Sequence, residues 1–308
     1  MITEQQRRER KNYIGSSDAA GVLGLSRWNS PLSVWAEKTG QYARPEPTGM
    51  AVKLGVAFEG VIAKLFTDET GLELETVPDT LYHPQHRCLA ANLDFRVKDQ
   101  RVLVEAKYVG PFSRGDWQDG KAPTEYAIQT MHQLAVSGYD SAYLVALIST
   151  PELKIVPIAR DERALAELVS REVEFWESFV MQGVMPATFK PQDTGVLEAL
   201  YPEAAEGRAV PLTDADAAVI ESIQAMEADL KLLEDQIDTS KNQLRAALGS
   251  AEVGRIGPHT VKWSNVQTTR LDITAIKTAA PDIYKKFSKT TASRRFTIQS
   301  KPITGEIK

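Results

Sequence analysis

The sequence predicts an α/β domain, a mixed central sheet flanked by helices, followed by one long helix and a small basic α+β tail. Three observations predict it. Up to about Pro202, short strand-like runs alternate with helix-period runs, the pattern of a sheet with helices packed against it. From about Thr213 to Leu248 the apolar residues recur at alternating intervals of four and three, a heptad seam. Beyond that the charge changes sign: residues 250–308 hold 11 Lys and Arg against 4 Asp and Glu, leaving 25 against 37 in residues 1–249. The divisions expected are 1–205, 210–249 and 250–308.

Each element has a local cause. Residues 16–24 read as a helix with a serine N-cap, stopped at Gly24. Ser30-Pro31 opens a second short helix over Leu32–Lys38, closed by Gly40. An amphipathic helix is expected over Lys53–Thr70, with Val56, Ile62, Leu65 and Phe66 turned inward. Strand-like runs follow at Leu81–His83, Cys88–Val97 and Val102–Tyr108. Pro123 opens a helix running to Gly138, and Ala142–Ile148 and Lys154–Ala159 read as strands. A helix from Asp161 to about Gln182 carries Leu165, Leu168, Val169, Phe175, Trp176 and Phe179. In the long helix, Val219, Ile223, Met226, Leu230, Leu233 and Ile237 form the seam and Leu244 resumes it after Ser240, so this face needs a partner surface. The tail reads as strands at Thr260–Trp263 and Arg295–Gln299 around a helix near Thr274–Lys286, capped by Asp272.

Composition excludes several classes. No apolar run approaches the roughly 18–20 residues of a bilayer span, and the N-terminal MITEQQRRERKNYIG has no apolar core of a secretory signal. One cysteine, Cys88, permits neither an internal disulfide framework nor a thiolate zinc cluster, so a cytoplasmic protein is expected. The net charge of −5 masks an acidic body and a basic tail, a division that suits a polyanion partner and carboxylates for a cation.

The chemistry-bearing residues begin with Asp94, followed after ten intervening residues by Glu105-Ala106-Lys107. Side chains alternate along a strand, so Glu105 and Lys107 share a face and Ala106 takes the other. If the runs containing Asp94 and Glu105 are neighbours, two carboxylates and an ammonium meet. Hard oxygen ligands without cysteine favour Mg²⁺, or Mn²⁺. A lone Glu-x-Lys is otherwise an ordinary surface pair. Three further features add weight: Glu59 amid the apolar residues of its helix, Gln129 and Gln133 one turn apart, and Arg10 upstream of Ser16 and Ser17 at a helix start.

Taken together, these motifs resemble the YqaJ-type viral recombinases, relatives of phage lambda exonuclease in the PD-(D/E)xK nuclease superfamily. The matching stretches are IGSSDAAGVLG (14–24), W-x-S-P-x-x-x-W-x-x-K-x-G (28–40), G-x-x-x-E (55–59), Leu93-Asp94, VEAK (104–107) and Y-x-x-Q-x-x-x-Q-L-A-V-x-G (126–138). The likeness covers about residues 10–185. It departs from the family pattern at Leu93 and Phe95, where proline and glycine are usual.

The resemblance implies a restriction-endonuclease-like core that digests linear duplex DNA from 5′ ends and leaves 3′ single strands for annealing in phage or prophage recombination. Asp94, Glu105 and the Ala106 carbonyl would bind the catalytic metal, and Glu59 would support a second metal or its water. Lys107 would activate or position the nucleophile, with Gln129 assisting. Arg10, Ser16, Ser17 and Gln133 would contact the 5′ phosphate or DNA. Implied partners are double-stranded DNA ends, a single-strand annealing protein and further copies of the chain, as a trimer. Two other readings stand beside it: a decayed nuclease fold acting as a DNA-binding scaffold, and a RecB-type endonuclease or repair nuclease.

Overall fold

A computed structural model describes residues 4–45, 48–118, 120–149, 152–291 and 293–299. It divides into two compact units, Met1–Tyr201 and Pro202–Lys308. The first contains, in order, α1 (Glu4–Glu9), β1 (Ile14–Gly15), α2 (Ser16–Val22), α3 (Pro31–Lys38), α4 (Met50–Thr70), β2 (Leu74–Thr76), β3 (Leu81–Tyr82), β4 (Leu89–Ala91), β5 (Phe95–Val97), β6 (Val102–Val109), α5 (Thr124–Ser137), β7 (Ser141–Ile148), β8 (Glu152–Ala159), α6 (Glu162–Phe175) and α7 (Thr194–Leu200).

The main sheet is mixed, with strand order β2-β5-β6-β7-β8. All its pairs are antiparallel except β6 with β7, which run parallel because α5 carries the chain back between them. A smaller sheet pairs β4 in parallel with β1 and antiparallel with β3.

Alternation along β6 separates the two faces of the main sheet. Val104 and Ala106 pack with Ile62 and Phe66 of α4, while Leu103 packs with Leu134 of α5. Ile62 and Phe66 are almost wholly buried, each contributing about 1.5–3 kcal/mol of apolar burial. Val56, expected to face inward, is 37% exposed: it lies nearer the start of α4, outside the stripe buried on the sheet.

The expected run Cys88–Val97 is not one strand. It bends at Asn92–Asp94, sending Leu89–Ala91 to the small sheet and Phe95–Val97 to the large one. The bend is held on its own side chains. Leu93 enters the core beneath α5, and the Asn92 amide oxygen accepts hydrogen bonds from Gln6 and Thr80.

Gly15, not a serine, occupies the N-cap of α2, and the Asp18 carboxylate accepts its N–H. Inside α2, Gly21 permits close packing on the α2–α3 turn, since a Cβ there would lie 2.8 Å from that of Asn29. The helix expected from Asp161 begins there, with Asp161 as its N-cap, and it continues through a π turn at Trp176–Val180. The short elements α1, β1, β2 and α7 carry too little periodicity to be read in advance.

The second unit holds α8 (Asp214–Leu248), the hairpin β9 (Val253–Ile256) and β10 (His259–Lys262), then α9 (Ile273–Ala279) and α10 (Pro281–Phe287). Thr213 caps α8 reciprocally with Asp216, which fixes its start. No side chain of α8 is buried, and seam residues Met226, Leu230 and Ile237 are exposed. The helix expected near Thr274–Lys286 is two, because Pro281 lacks the N–H to continue the first. Asp272 caps α9. Arg295–Gln299 is not a strand: the segment is irregular and Phe296 lies exposed.

Candidate active site

The geometry of the site follows from the register of β5 on β6. Phe95 lies opposite Val104, so continuing the antiparallel ladder by one residue sets Asp94 opposite Glu105. The Asp94 Oδ2 accepts the Ala106 N–H at 2.9 Å, tying the bend to β6. Leu93 and Phe95, on either side, pack into different core clusters, so the aspartate is pinned from both faces of the sheet. The usual proline and glycine are replaced by two apolar anchors.

Glu105 and Lys107 share a face, as alternation requires, and Lys107 Nζ donates to Glu105 Oε1. From α5, Gln129 donates to the same oxygen at 2.6 Å and Gln133 donates to Oε2 at 2.5 Å. Glu105 is nearly inaccessible, and these three donors satisfy its charge. Gln133, expected to contact DNA beside Arg10 and the serines, is buried behind Glu105, because its α5 position faces the sheet, and its amide donates to that carboxylate.

A cavity of about 220 Å³ brings the remaining residues together. Asp94, Glu105, Ala106, Lys107 and Gln129 line it, with Glu59 from α4 and with Arg10, Ser16 and Ser17. Arg10 Nη2 donates to Ser17 Oγ at 2.7 Å. The larger surface hollows beside α6 are lined by other residues.

The electrostatics match the crowding. Loss of hydration, then the charge of Glu105, pushes the Asp94 carboxyl up to about 8, against Lys107 and the Ala106 N–H. Loss of hydration opposes the charged form of Lys107 as well. Glu105 and Asp94 outweigh it and raise the lysine above its ordinary value. Lys107 therefore keeps its proton and acts as a donor. Its ammonium also lies 5.2 Å from the centre of the Tyr126 ring.

Among the described residues no three His, Cys, Asp or Glu side chains form a ready cation cage. The donor set still fits a hard divalent ion: two carboxylates and a main-chain carbonyl, the few protein ligands that Mg²⁺ takes while keeping several waters. Burying Asp94 beside Glu105 is unfavourable without such a charge.

Three buried groups at the site were not singled out in the sequence. His132 of α5 bonds Glu172 of α6 at 2.8 Å and the Ala90 carbonyl at 3.0 Å. Asp18 and Lys38 form a buried ion pair at 2.7 Å. Lys38 stands in the W-x-S-P-x-x-x-W-x-x-K-x-G stretch, so its position was visible and its contact was not.

A mixed sheet with helices on both faces, bearing an Asp/Glu/Lys cluster where a bend meets its central strand, defines the class. Its fold is similar to that of an alkaline exonuclease, LHK-Exo, from Laribacter hongkongensis. The TM-score is 0.51 with 21% identity, over 59% of this chain and 94% of that one. The same protein in complex with dAMP gives a TM-score of 0.52. Residues 5–140 match the YqaJ-like viral recombinase domain. The uncharacterized protein YqaJ of Bacillus subtilis (strain 168) is 31% identical over 294 residues, 94% of this chain and 92% of its own length. The chain belongs to the YqaJ-like viral recombinase family. No helix among the described residues is long and apolar enough to cross a membrane.

Proposed function

We propose that the chain is a divalent-metal-dependent deoxyribonuclease of PD-(D/E)xK type that degrades linear duplex DNA from 5′ ends and leaves 3′ single strands for recombination by annealing. The observation that carries this reading is the shared cavity, where Asp94, Glu105 and Lys107 face Arg10 and Ser17. An arginine donating to a serine hydroxyl beside a hydrolytic cluster suits a terminal phosphate close to the bond that is cut.

Asp94, Glu105 and the Ala106 carbonyl would hold Mg²⁺ or Mn²⁺, with Glu59 lining the same space. When bound, the ion supplies Lewis-acid polarisation of the scissile phosphate. Gln129 and Gln133 fix the rotamer of Glu105, so that carboxylate needs little rearrangement to serve. Lys107, protonated, orients the attacking water through its N–H groups and offsets negative charge building on the phosphate. In this reading residues 1–205 are the exonuclease domain. The implied partners are a single-strand annealing protein and further copies of the chain as a trimer around DNA.

A decayed fold used as a DNA-binding scaffold has no use for all three of Asp94, Glu105 and Lys107 in one cavity, and the Arg10–Ser17 pair favours ends over the internal cutting of a RecB-type enzyme. The test incubates purified protein and Mg²⁺ with linear and closed circular duplex. Linear DNA should be shortened and circles spared, and Lys107→Ala should slow the reaction by about 10²-fold or more. Equal cutting of circles, or activity indifferent to Lys107→Ala, would sink the proposal.

A further inference from the structure

Next to the cavity lies a charge cluster that the proposed chemistry does not use. Asp18 of α2 and Lys38 of α3 are both fully buried, with Nζ and Oδ2 2.7 Å apart. Loss of hydration works against the Asp18 anion. The charges of Lys38, Arg10 and Arg44 overcome it and hold the carboxyl well below the usual range. A buried ion pair adds little net stability over an apolar pair of the same shape, so where its remaining bonds go is informative.

They go to the segment that lines the cavity. Lys38 Nζ donates a second hydrogen bond, at 2.8 Å, to the Arg10 carbonyl. Asp18 Oδ2 accepts the Gly15 N–H at 3.2 Å, and Oδ1 lies 3.7 Å from the Arg10 guanidinium. Arg44 pairs with Asp18 at 3.4 Å and with Glu37 at 2.7 Å. The cluster thus holds three cations and two anions. Lys38 is inaccessible and Arg44 is turned to both carboxylates, whereas Arg10 reaches Ser17 within the cavity. The surplus positive charge is presented there.

We propose that Asp18 and Lys38 are positioning residues for the grip on a terminal 5′ phosphate: Lys38 fixes the main chain of Arg10, Asp18 aims its guanidinium, and together they set the preference for phosphorylated ends. This rests on the end-directed nuclease reading above.

The experiment measures kcat/KM of the full chain on linear duplexes ending in 5′ phosphate or 5′ hydroxyl, and binding of the same duplexes by anisotropy in EDTA. Lys38→Met, which keeps length and loses charge, should lower the phosphate-to-hydroxyl ratio about tenfold in both assays, with hydroxyl-end cutting within about twofold of wild type. Lys38→Arg should restore part of the ratio, and it decides the question alone if Lys38→Met does not melt cooperatively: a ratio equal to wild type would then count against the idea. A purely structural role would lower both substrates together and leave the ratio intact, overturning the proposal. If Arg10→Ala abolishes the preference while Lys38→Met spares it, only the positioning role fails. A wild-type chain indifferent to the phosphate removes the end-directed reading and this inference with it.

Discussion

Asp94 concentrates the chemistry of single residues. Its carboxyl, raised to about 8 from an ordinary 3.8, is protonated near neutrality in the metal-free fold. The stability this contributes is complete below 3.8 and is lost as pH rises through about 8. A divalent ion must displace that proton, so its binding should strengthen with pH. Calorimetric titration with Mg²⁺ or Mn²⁺ at about pH 6.5 and about pH 8.5 should show affinity rising by up to about tenfold per unit below the pKa, and Asp94→Asn should abolish the rise. Equal affinity at both values would mean the carboxylate is already ionised. Strand alternation put Glu105 and Lys107 on one face in the sequence, and Glu59, Gln129 and the Arg10/Ser17 pair singled them out together with Asp94. The sequence did not show that Asp94 sits on a bend or that Gln133 turns inward, because both depend on which neighbours each backbone meets.

At the scale of elements, α5 is the part that organises the site. One face presents Gln129 and Gln133 to Glu105, and His132 anchors the helix to α6 and β4. Both ring nitrogens of His132 face oxygens, Glu172 Oε1 and the Ala90 carbonyl, a geometry in which an imidazolium donates to both. Loss of hydration opposes that charge; Glu172, by charge and hydrogen bond, and the Ala90 carbonyl overcome it and raise the pKa above 6.5. The stability gained is complete below 6.5 and is lost as pH rises through the raised value. His132→Ala strands the buried Glu172 carboxylate and should cost about 3–5 kcal/mol in urea unfolding at neutral pH. The loss should shrink at alkaline pH, where the wild-type pair is already weakened. A constant penalty across pH would show that the ring is neutral throughout. Helices with clear caps, such as α3, α6 and α8, could be read from sequence. The strands β1 and β2 could not, since two or three residues carry no period and exist only through their partners.

Across the whole molecule, the charge division sets the expectation. The basic segment 250–308 and the open seam of α8 belong to the second unit, and the carboxylate cluster belongs to the first. A chain ending at Tyr201 should keep cooperative melting and its cation site. It should bind duplex DNA more weakly and with a shallower salt dependence, by about one unit of log–log slope for each phosphate that the basic segment neutralises. Anisotropy at several salt concentrations reads the slope, and failure of the shortened chain to bind the cation would show that the second unit helps build the site. By itself the sequence determined the α/β class, the long helix, the charge asymmetry and the identity of the acidic cluster with its lysine. Those are local properties, written in periodicity, caps and residue type. Tertiary structure alone decided that one strand-like run serves two sheets, that Asp94 is pinned between two cores, and that Lys38 and His132 reach across helices to brace the cavity. Such contacts join residues tens of positions apart, and no local pattern records which distant group a buried charge will find.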